Sequence, residues 1–324
     1  MQRRAGSVKK SIVASDLQEE REKLAFDQEE LRVFGHGGPE VFPSYKEAID
    51  TMGADPALRN FIHFNDLTPA EMQENLWKRN ERLFNNYADR IWKGTENFEY
   101  PYTDWFNYFQ GLLPGFGLHF TMFRMTVANI SNAEQKAYWL EKINNVDILG
   151  CYAQTEIGHG SNVAALETTA TLDKATDEFV INTPSITATK YWPGDLGRFA
   201  SHAALFARLI IDGQDYGVQS FIVPLRDVNT WKHLPGVKSG DLGPKIGYNS
   251  KDNGWAMFDK VRIPRTNMLM GLCNVTKEGE VSLQGDPRVL YSVMMTIRMM
   301  LIAACGQFSL LATRIAARYN VVRR

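Results

Sequence analysis

The 324-residue chain has few cysteines, no excess of either charge and no long apolar run. Each of these absences argues against a class of protein. Its three cysteines, Cys151, Cys273 and Cys305, are too few and too scattered for a disulfide framework or a zinc site. The 36 basic and 37 acidic residues nearly cancel, which argues against a nucleic-acid partner. The apolar stretch Met299–Thr313 is shorter than the roughly twenty residues that cross a bilayer. We therefore expect a soluble intracellular protein with no metal site, in which this stretch forms a buried helix rather than a membrane span.

The first fifteen residues are basic and contain no acid before Asp16, a pattern also found in mitochondrial presequences. Several acids follow within the next six residues. We therefore favour a basic, flexible start to a helical domain over a cleaved targeting segment.

The spacing of apolar residues divides the chain into three segments. Residues 1–145 have a helical pattern, and we expect helices at Tyr45–Met52, Pro69–Trp92, Leu118–Ala128 and Glu134–Ile143. In residues 146–285 the period changes to two, and we expect strands at Ile148–Tyr152, Ala164–Leu172, Glu178–Thr183, Ala203–Ile211, Val218–Pro224 and Trp255–Val261. Residues 286–324 are helical and apolar. The pattern predicts an α+β protein with an N-terminal helical domain, a central antiparallel β domain of the sandwich or barrel type, and the start of a C-terminal helical bundle.

Two motifs in the central segment indicate chemistry. The first, Cys151–Val163 (CYAQTEIGHGSNV), leads from a short strand into a loop with a hydroxyl group, small residues and free backbone amides, where a planar ligand can approach the main chain. The second, Ala188–Gly197 (ATKYWPGDLG), is expected to end a strand at an aromatic residue and to turn sharply at Pro193–Gly194. Together they predict a flavin site.

Four further stretches make a family resemblance specific: Leu166–Thr171, Lys245–Gly247, Asp252–Trp255 and Val261–Leu269. In this order and at this spacing, the motifs resemble the N-terminal half of the peroxisomal acyl-coenzyme A oxidases, which are relatives of the acyl-CoA dehydrogenases. The similarity runs from about Phe116 to the last residue. Within it, we expect Asn253–Gly254 to form a tight hairpin turn.

The resemblance implies that the cofactor is FAD and assigns residues to it. Thr155 would hydrogen-bond the flavin ring, Gly194 and Trp192 would contact it, and Gly160 and Ser161 would shape the loop around it. Arg323 would reach the pyrophosphate of a flavin held mainly by the other subunit of a homodimer. Each assignment has a structural alternative. Thr155 could bond its own turn, Trp192 could pack in the sheet, and Gly160 could be a turn glycine with no ligand. Arg323 could be a surface residue at a helix C-terminus.

The activity implied is the desaturation of fatty acyl-CoA to trans-2-enoyl-CoA in peroxisomal β-oxidation, with molecular oxygen reoxidising the flavin to give hydrogen peroxide. The family's base is a glutamate, and no catalytic residue can be assigned here, because that glutamate is expected beyond residue 324. Neither His159 nor Glu156 is expected to replace it. The chain ends without a Ser-Lys-Leu peroxisomal signal, and a mitochondrial location is the weaker alternative. A non-catalytic scaffold subunit and an acyl-CoA dehydrogenase are the alternative functions. The apolar face of Met294–Leu311 is expected to lie exposed and to promote association.

Overall fold

In the computed structural model, the structure describes residues 15–59, 66–92, 117–286, 289 and 292–323. The basic residues 1–14, for which we expect a flexible start, lie outside this range. The chain forms two compact units, and we describe each by itself. One contains residues 1–55, 90–111 and 299–324, and the other contains residues 56–89 and 112–298. The predicted boundaries near residues 145 and 285 stay a prediction.

The helices in the described residues are α1 (Ser15–Glu22), α2 (Gln28–Gly35), α3 (Phe42–Ala54), α4 (Pro56–Arg59), α5 (Pro69–Trp92), α6 (Arg124–Ile130), α7 (Ala133–Asn144) and α8 (Ser292–Val322). The start of α5 agrees with the prediction, because Thr68 and Glu71 exchange hydrogen bonds that cap its first turn. Before α6 the chain forms a π-helical turn, His119–Phe123, where a continuous helix was predicted. All five residues of that turn are buried.

The strands are β1 (Gly150–Ala153), β2 (Thr169–Asp173), β3 (Glu178–Asn182), β4 (Lys190–Gly194), β5 (His202–Ile211), β6 (Gln214–Pro224), β7 (Val237–Asp241), β8 (Asn253–Phe258), β9 (Val261–Pro264), β10 (Cys273–Val275) and β11 (Val281–Leu283). In the six-stranded sheet, one edge of β5 pairs with β6, and its other edge pairs first with β1 and then with β2. Strand β3 pairs with the free edge of β2, and β9 pairs with β3. Strands β4, β8 and β7 form a second sheet, and β10 pairs with β11. The expected central β domain is confirmed.

The central domain is a mixed sheet and not a wholly antiparallel one. Strands β1 and β2 both run parallel to β5, whereas β5–β6, β2–β3 and β3–β9 are antiparallel. Alternating burial shows that a segment is a strand but does not show the direction of its neighbour, and the long connections from β1 and β2 to β5 permit parallel pairing. The strand predicted at Ala164–Leu172 begins only at Thr169, because Val163–Ala165 forms a 3₁₀ turn.

The main core lies between the six-stranded sheet and the three-stranded sheet, as in a sandwich. Phe179 and Phe221 from the first sheet and Phe258 from the second are fully or almost fully buried in it. On the opposite face of the six-stranded sheet, Tyr152 and Phe206 pack together with the first turns of α8. Strands β1 and β5 are therefore packed on both faces.

From Met299 onward, helix α8 is not buried as predicted. Most of its apolar side chains are exposed in the described chain, as Met299 and Ile302 illustrate, so the expectation of a buried helix is wrong there. The expected exposure of its apolar face is confirmed, while the association it would cause stays a prediction. By length and composition, Met294–Val322 could also cross a membrane. Core helices of soluble proteins have the same composition, and composition alone does not distinguish the two.

Candidate cofactor site

The two sequence motifs lie side by side in the structure. Three backbone hydrogen bonds join residues 155–158 to residues 187–191: Ile157 N to Thr189 O at 3.0 Å, Gly158 N to Thr187 O at 2.9 Å, and Tyr191 N to Thr155 O at 3.0 Å. An antiparallel bridge links Glu156 and Lys190 at the centre of this contact. About thirty residues of chain therefore close on themselves, and the two motifs form one site.

Open polar groups collect on one side of this contact. Thr155 is half-buried, and its hydroxyl makes no hydrogen bond within the part of the chain that the structure describes. The amides of Gly160 and Ser161, both exposed, are equally without a partner among the described residues. A side chain built at Gly160 would meet only the Thr155 methyl, at 3.9 Å. A ligand can thus approach the backbone of this loop closely.

Strand β4 continues through the aromatic residue where a sharp turn was predicted. A bulge in its pairing with β8 lies between Tyr191 and Gly194, and Trp192 within it has a φ of 80°. The Trp192 carbonyl accepts a hydrogen bond from Asn253 Nδ2 at 2.8 Å, and its indole is half exposed. Asn253–Gly254 lies inside β8, so the prediction of a tight turn there is wrong. The bulge, which strand pairing pins on both sides, turns the indole outward.

Gly194 lies close to two side chains of its own chain. A Cβ atom there would overlap the Leu118 side chain and lie 2.8 Å from Lys251 Cε. Both contacts are with the outer atoms of flexible side chains, so packing favours glycine here without requiring it, and the expected contact with a flavin ring stays a prediction.

A buried charged cluster lies behind β4. Lys251 Nζ is 2.5 Å from Asp195 Oδ2, and both side chains are almost fully buried. Asp252 Oδ2 accepts hydrogen bonds from the amides of Arg198, at 2.7 Å, and Phe199, at 3.3 Å. Burial and the neighbouring Asp195 raise the pKa of Asp252 to about 8, while burial raises the pKa of Asp195. The cluster holds the chain just after Gly194, where Asp195 adopts a φ of 68°.

A second polar cluster supports the glycine loop. His159 Nε2 lies 3.1 Å from Glu167 Oε1, and Glu167 Oε2 accepts hydrogen bonds from Ser185 and Thr187. These bonds, led by those from Ser185 and Thr187, hold the pKa of Glu167 below its usual value. His159 thus orients the loop, consistent with the expectation that it is not the catalytic base.

The remaining sequence-predicted residue, Arg323, follows α8 in the other compact unit. It is exposed, and its guanidinium lies 5.7 Å from the centre of the Tyr319 ring. Cys151, inside the first motif, is fully buried and behaves as a small apolar residue, because burial raises the pKa of its thiol. Sequence reasoning missed the buried charges at Lys190, Asp195 and Lys251. No local signal in the sequence marks them as buried, because the partners of Lys190 and Lys251 lie far away along the chain.

Comparison with known proteins defines first the class and then the family. Residues 151–261 match the model of the acyl-CoA dehydrogenase middle domain, and residues 27–149 match the acyl-coenzyme A oxidase N-terminal model. The fold is therefore that of the acyl-CoA dehydrogenase class. Peroxisomal acyl-coenzyme A oxidase 1 of Arabidopsis thaliana is 40% identical over 95% of this chain, and its Rattus norvegicus counterpart is 36% identical over 95%. The chain belongs to the acyl-CoA oxidase family.

Solved structures support the same family. An acyl-CoA oxidase-2 structure from Caenorhabditis elegans, bound with FAD, ascaroside-CoA and ATP, matches 97% of this chain and 47% of its own, with a TM-score of 0.88 and 35% identity. Acyl-CoA oxidase 1 of Yarrowia lipolytica matches 95% of this chain and 45% of its own, with a TM-score of 0.86 and 33% identity. The chain spans about half the length of the curated relatives it matches, 46% of each of the two oxidases named above.

Proposed function

We propose that this chain is the cofactor-binding part of an FAD-dependent acyl-CoA oxidase, which desaturates fatty acyl-CoA to trans-2-enoyl-CoA and passes the electrons to molecular oxygen, giving hydrogen peroxide. Family membership and the names of the relatives support this function over a scaffold or a dehydrogenase. The names of the peroxisomal relatives support a peroxisomal location. The observation that carries the proposal is the pairing of the two motifs, which places open donors beside an exposed indole.

The residues present fit FAD. The Thr155 hydroxyl and the amides of Gly160 and Ser161 are donors without internal partners among the described residues, and a flavin ring offers acceptor atoms along one edge. Trp192 supplies an exposed aromatic face for stacking, and we propose Gly194, which is buried two residues further on, as a further contact of the ring. When bound, FAD supplies the hydride acceptor. The chain's own residues bind the ring, orient it and hold donors toward it.

No described carboxylate at this site is available as the base. Glu156 is fully buried among four donors, and Glu167 is held by Ser185 and Thr187. We propose, from the family resemblance, that the catalytic glutamate lies beyond residue 324. The proposal also includes a homodimer in which Arg323 reaches the pyrophosphate of the partner's flavin, and domains at residues 1–145, 146–285 and 286–324.

Titration of the purified chain with FAD tests the proposal. We expect resolved flavin absorption bands on binding, and we expect Thr155→Val to raise the Kd for FAD about threefold to tenfold, because one hydrogen bond is lost. Thr169→Val, a half-buried threonine in β2, is the matched control and should leave the Kd unchanged. A folded chain that takes up no FAD would overturn the proposed cofactor site.

A further inference from the structure

A buried ion pair lies directly beneath the paired motifs. Lys190 Nζ and Glu156 Oε1 are 2.9 Å apart, and neither side chain has any exposed surface. Burying two charges is unfavourable enough that such pairs add little to stability compared with apolar residues of the same size. A buried ion pair can instead contribute specificity, because only one conformation of the chain brings its two charges together. The contacts of each partner indicate which arrangement is selected here.

Glu156 joins the two ends of the glycine loop. Its Oε2 accepts a hydrogen bond from Glu167 N at 2.7 Å, and its Oε1 accepts bonds from Thr168 N at 3.0 Å and Thr168 Oγ1 at 2.6 Å. The carboxylate therefore closes the stretch from residue 157 to residue 166, which includes Gly160 and Ser161. Without these bonds, the two ends of the loop would be tied to strand neighbours by backbone contacts, such as Ile157 N to Thr189 O and Arg208 N to Thr168 O, but no longer directly to each other.

Lys190 fixes the chain on the other side of the same residue. Its ammonium donates to Gln154 O at 3.0 Å and to Phe206 O at 2.7 Å, besides the Glu156 carboxylate. Burial lowers the pKa of Lys190 to about 8, and the Glu156 carboxylate acts in the opposite direction. One ammonium thus anchors the residues immediately before and after Thr155 to strand β5.

Thr155 is the residue that these contacts orient. Neighbouring side chains on an extended segment point to opposite faces, so holding Glu156 inward turns Thr155 outward. The bond from Tyr191 N to Thr155 O secures its peptide on the β4 side. We propose that Glu156 and Lys190 are positioning residues that hold the Thr155 hydroxyl and the Gly160–Ser161 amides in the orientation that binds the flavin, without touching it. This inference rests on the proposed function.

The test combines a paired substitution with Thr155→Val. Glu156→Gln with Lys190→Met removes both charges together and so avoids leaving one buried charge alone. We expect this double variant to fold, with far-UV circular dichroism like that of the starting protein, but to bind FAD about tenfold to a hundredfold more weakly, as small misplacements of binding groups do. Lys174→Met with Asp212→Asn removes an exposed ion pair near the turns of the same sheet and should leave FAD affinity unchanged.

The decisive readout is non-additivity. If the pair acts through Thr155, Thr155→Val should weaken FAD binding in the parent chain but change it little in the Glu156→Gln/Lys190→Met background. Additive losses would show that the pair acts independently of Thr155 and would overturn the inference.

Hydrogen exchange without FAD separates this inference from the proposed function. The double variant should exchange faster in residues 154–168, while β5 and β6 remain protected. Unchanged exchange in residues 154–168 would overturn the positioning role even if the parent chain binds FAD. If the double variant exchanges faster but the parent chain binds no FAD, the proposed function is overturned. Glu156 and Lys190 would then position the loop, but not for a flavin.

Discussion

Strand β5 and helix α8 are both rich in apolar residues, but they have opposite surroundings. The apolar side chains at the centre of β5 have almost no exposed surface, whereas Ile302 in α8 is 75% exposed. Strand β5 has hydrogen-bonded neighbours on both edges and packed layers on both faces. Apolar composition shows that a segment gains from burial, but only its neighbours decide whether it is buried.

The same contrast holds for polar residues. The sheet unit buries His119, Lys190 and Asp252, each with specific partners, while residues of the same types lie exposed elsewhere in the chain. Substituting the same residue type at a buried and at an exposed position can therefore measure how much burial contributes to the free energy of unfolding. We expect the largest effect in the apolar core and smaller effects at the buried titratable groups.

The largest difference should separate two phenylalanines. Phe221 in β6 is fully buried and contacts Phe179 edge to face, whereas Phe308 in α8 is 43% exposed. Phe221→Ala should lower the free energy of unfolding by about 3–5 kcal/mol, and Phe308→Ala should change it by about 0.5 kcal/mol or less. Urea denaturation followed by tryptophan fluorescence measures both. Equal losses would show that α8 is as well packed as the sheet.

A smaller, pH-dependent difference should separate two histidines. His119 Nδ1 accepts a hydrogen bond from Gly150 N at 2.9 Å, and its Nε2 donates to Ile143 O at 3.0 Å, so the ring is held neutral. Burial lowers the pKa of His119 to about 4. Because unfolded histidine binds a proton near pH 6.5, this contribution is present above pH 6.5 and is lost as the pH falls towards 4.

Replacing His119 by a group that does not titrate should reduce the loss of stability in acid. When the pH falls from 6.5 to 4.5, the free energy of unfolding should decrease in both proteins. The decrease should be about 2–3 kcal/mol smaller for His119→Gln than for the parent chain. Urea denaturation at each pH measures the difference, and identical pH profiles for His119→Gln and the parent would contradict the neutral, buried state of His119.

The sequence predicted most strands of the six-stranded sheet, because burial on alternate sides and turn residues are local signals. It missed β7, β10 and β11, and the predicted strand Trp255–Val261 is divided between β8 and β9. Strand β5 and helix α5 begin within one residue of their predicted starts. The parallel pairing of β1 and β2 with β5 could not be predicted, because it depends on which distant strands meet. The bulge at Trp192 was missed for a related reason, since Pro193–Gly194 is a strong turn signal in isolation and only the pairing with β8 keeps it in a strand.

The candidate site was predicted only on its open side. Thr155, Gly160 and Trp192 could be assigned to the flavin from the two motifs, but the burial of Lys190 and Asp195, which lie in the second motif, could not be predicted. Lys190 resembles a surface residue in the sequence, because a lysine is buried only when acceptors converge on it. Those acceptors come from Gln154, Glu156 and Phe206, which are separated by up to 52 residues of chain, so only the fold brings them together.

The last comparison concerns the Asp252 carboxyl, which is buried beside Asp195 and Lys251. Burial raises the pKa of Asp252 to about 8, with Asp195 acting in the same direction and Lys251 opposing it. The folded chain therefore keeps a proton that the unfolded chain releases near pH 4, so this contribution is complete below pH 4 and is lost as the pH rises through 8.

Asparagine cannot lose that proton, and Asp252→Asn should therefore keep its stability as the pH rises. From pH 6 to pH 9 we expect the Tm of the parent chain to fall by a few degrees relative to Asp252→Asn. Asp259→Asn, at an exposed position after β8, should follow the parent at every pH. Differential scanning fluorimetry measures all three. Parallel curves for the parent and Asp252→Asn would mean that Asp252 is already ionised in the folded chain at pH 6.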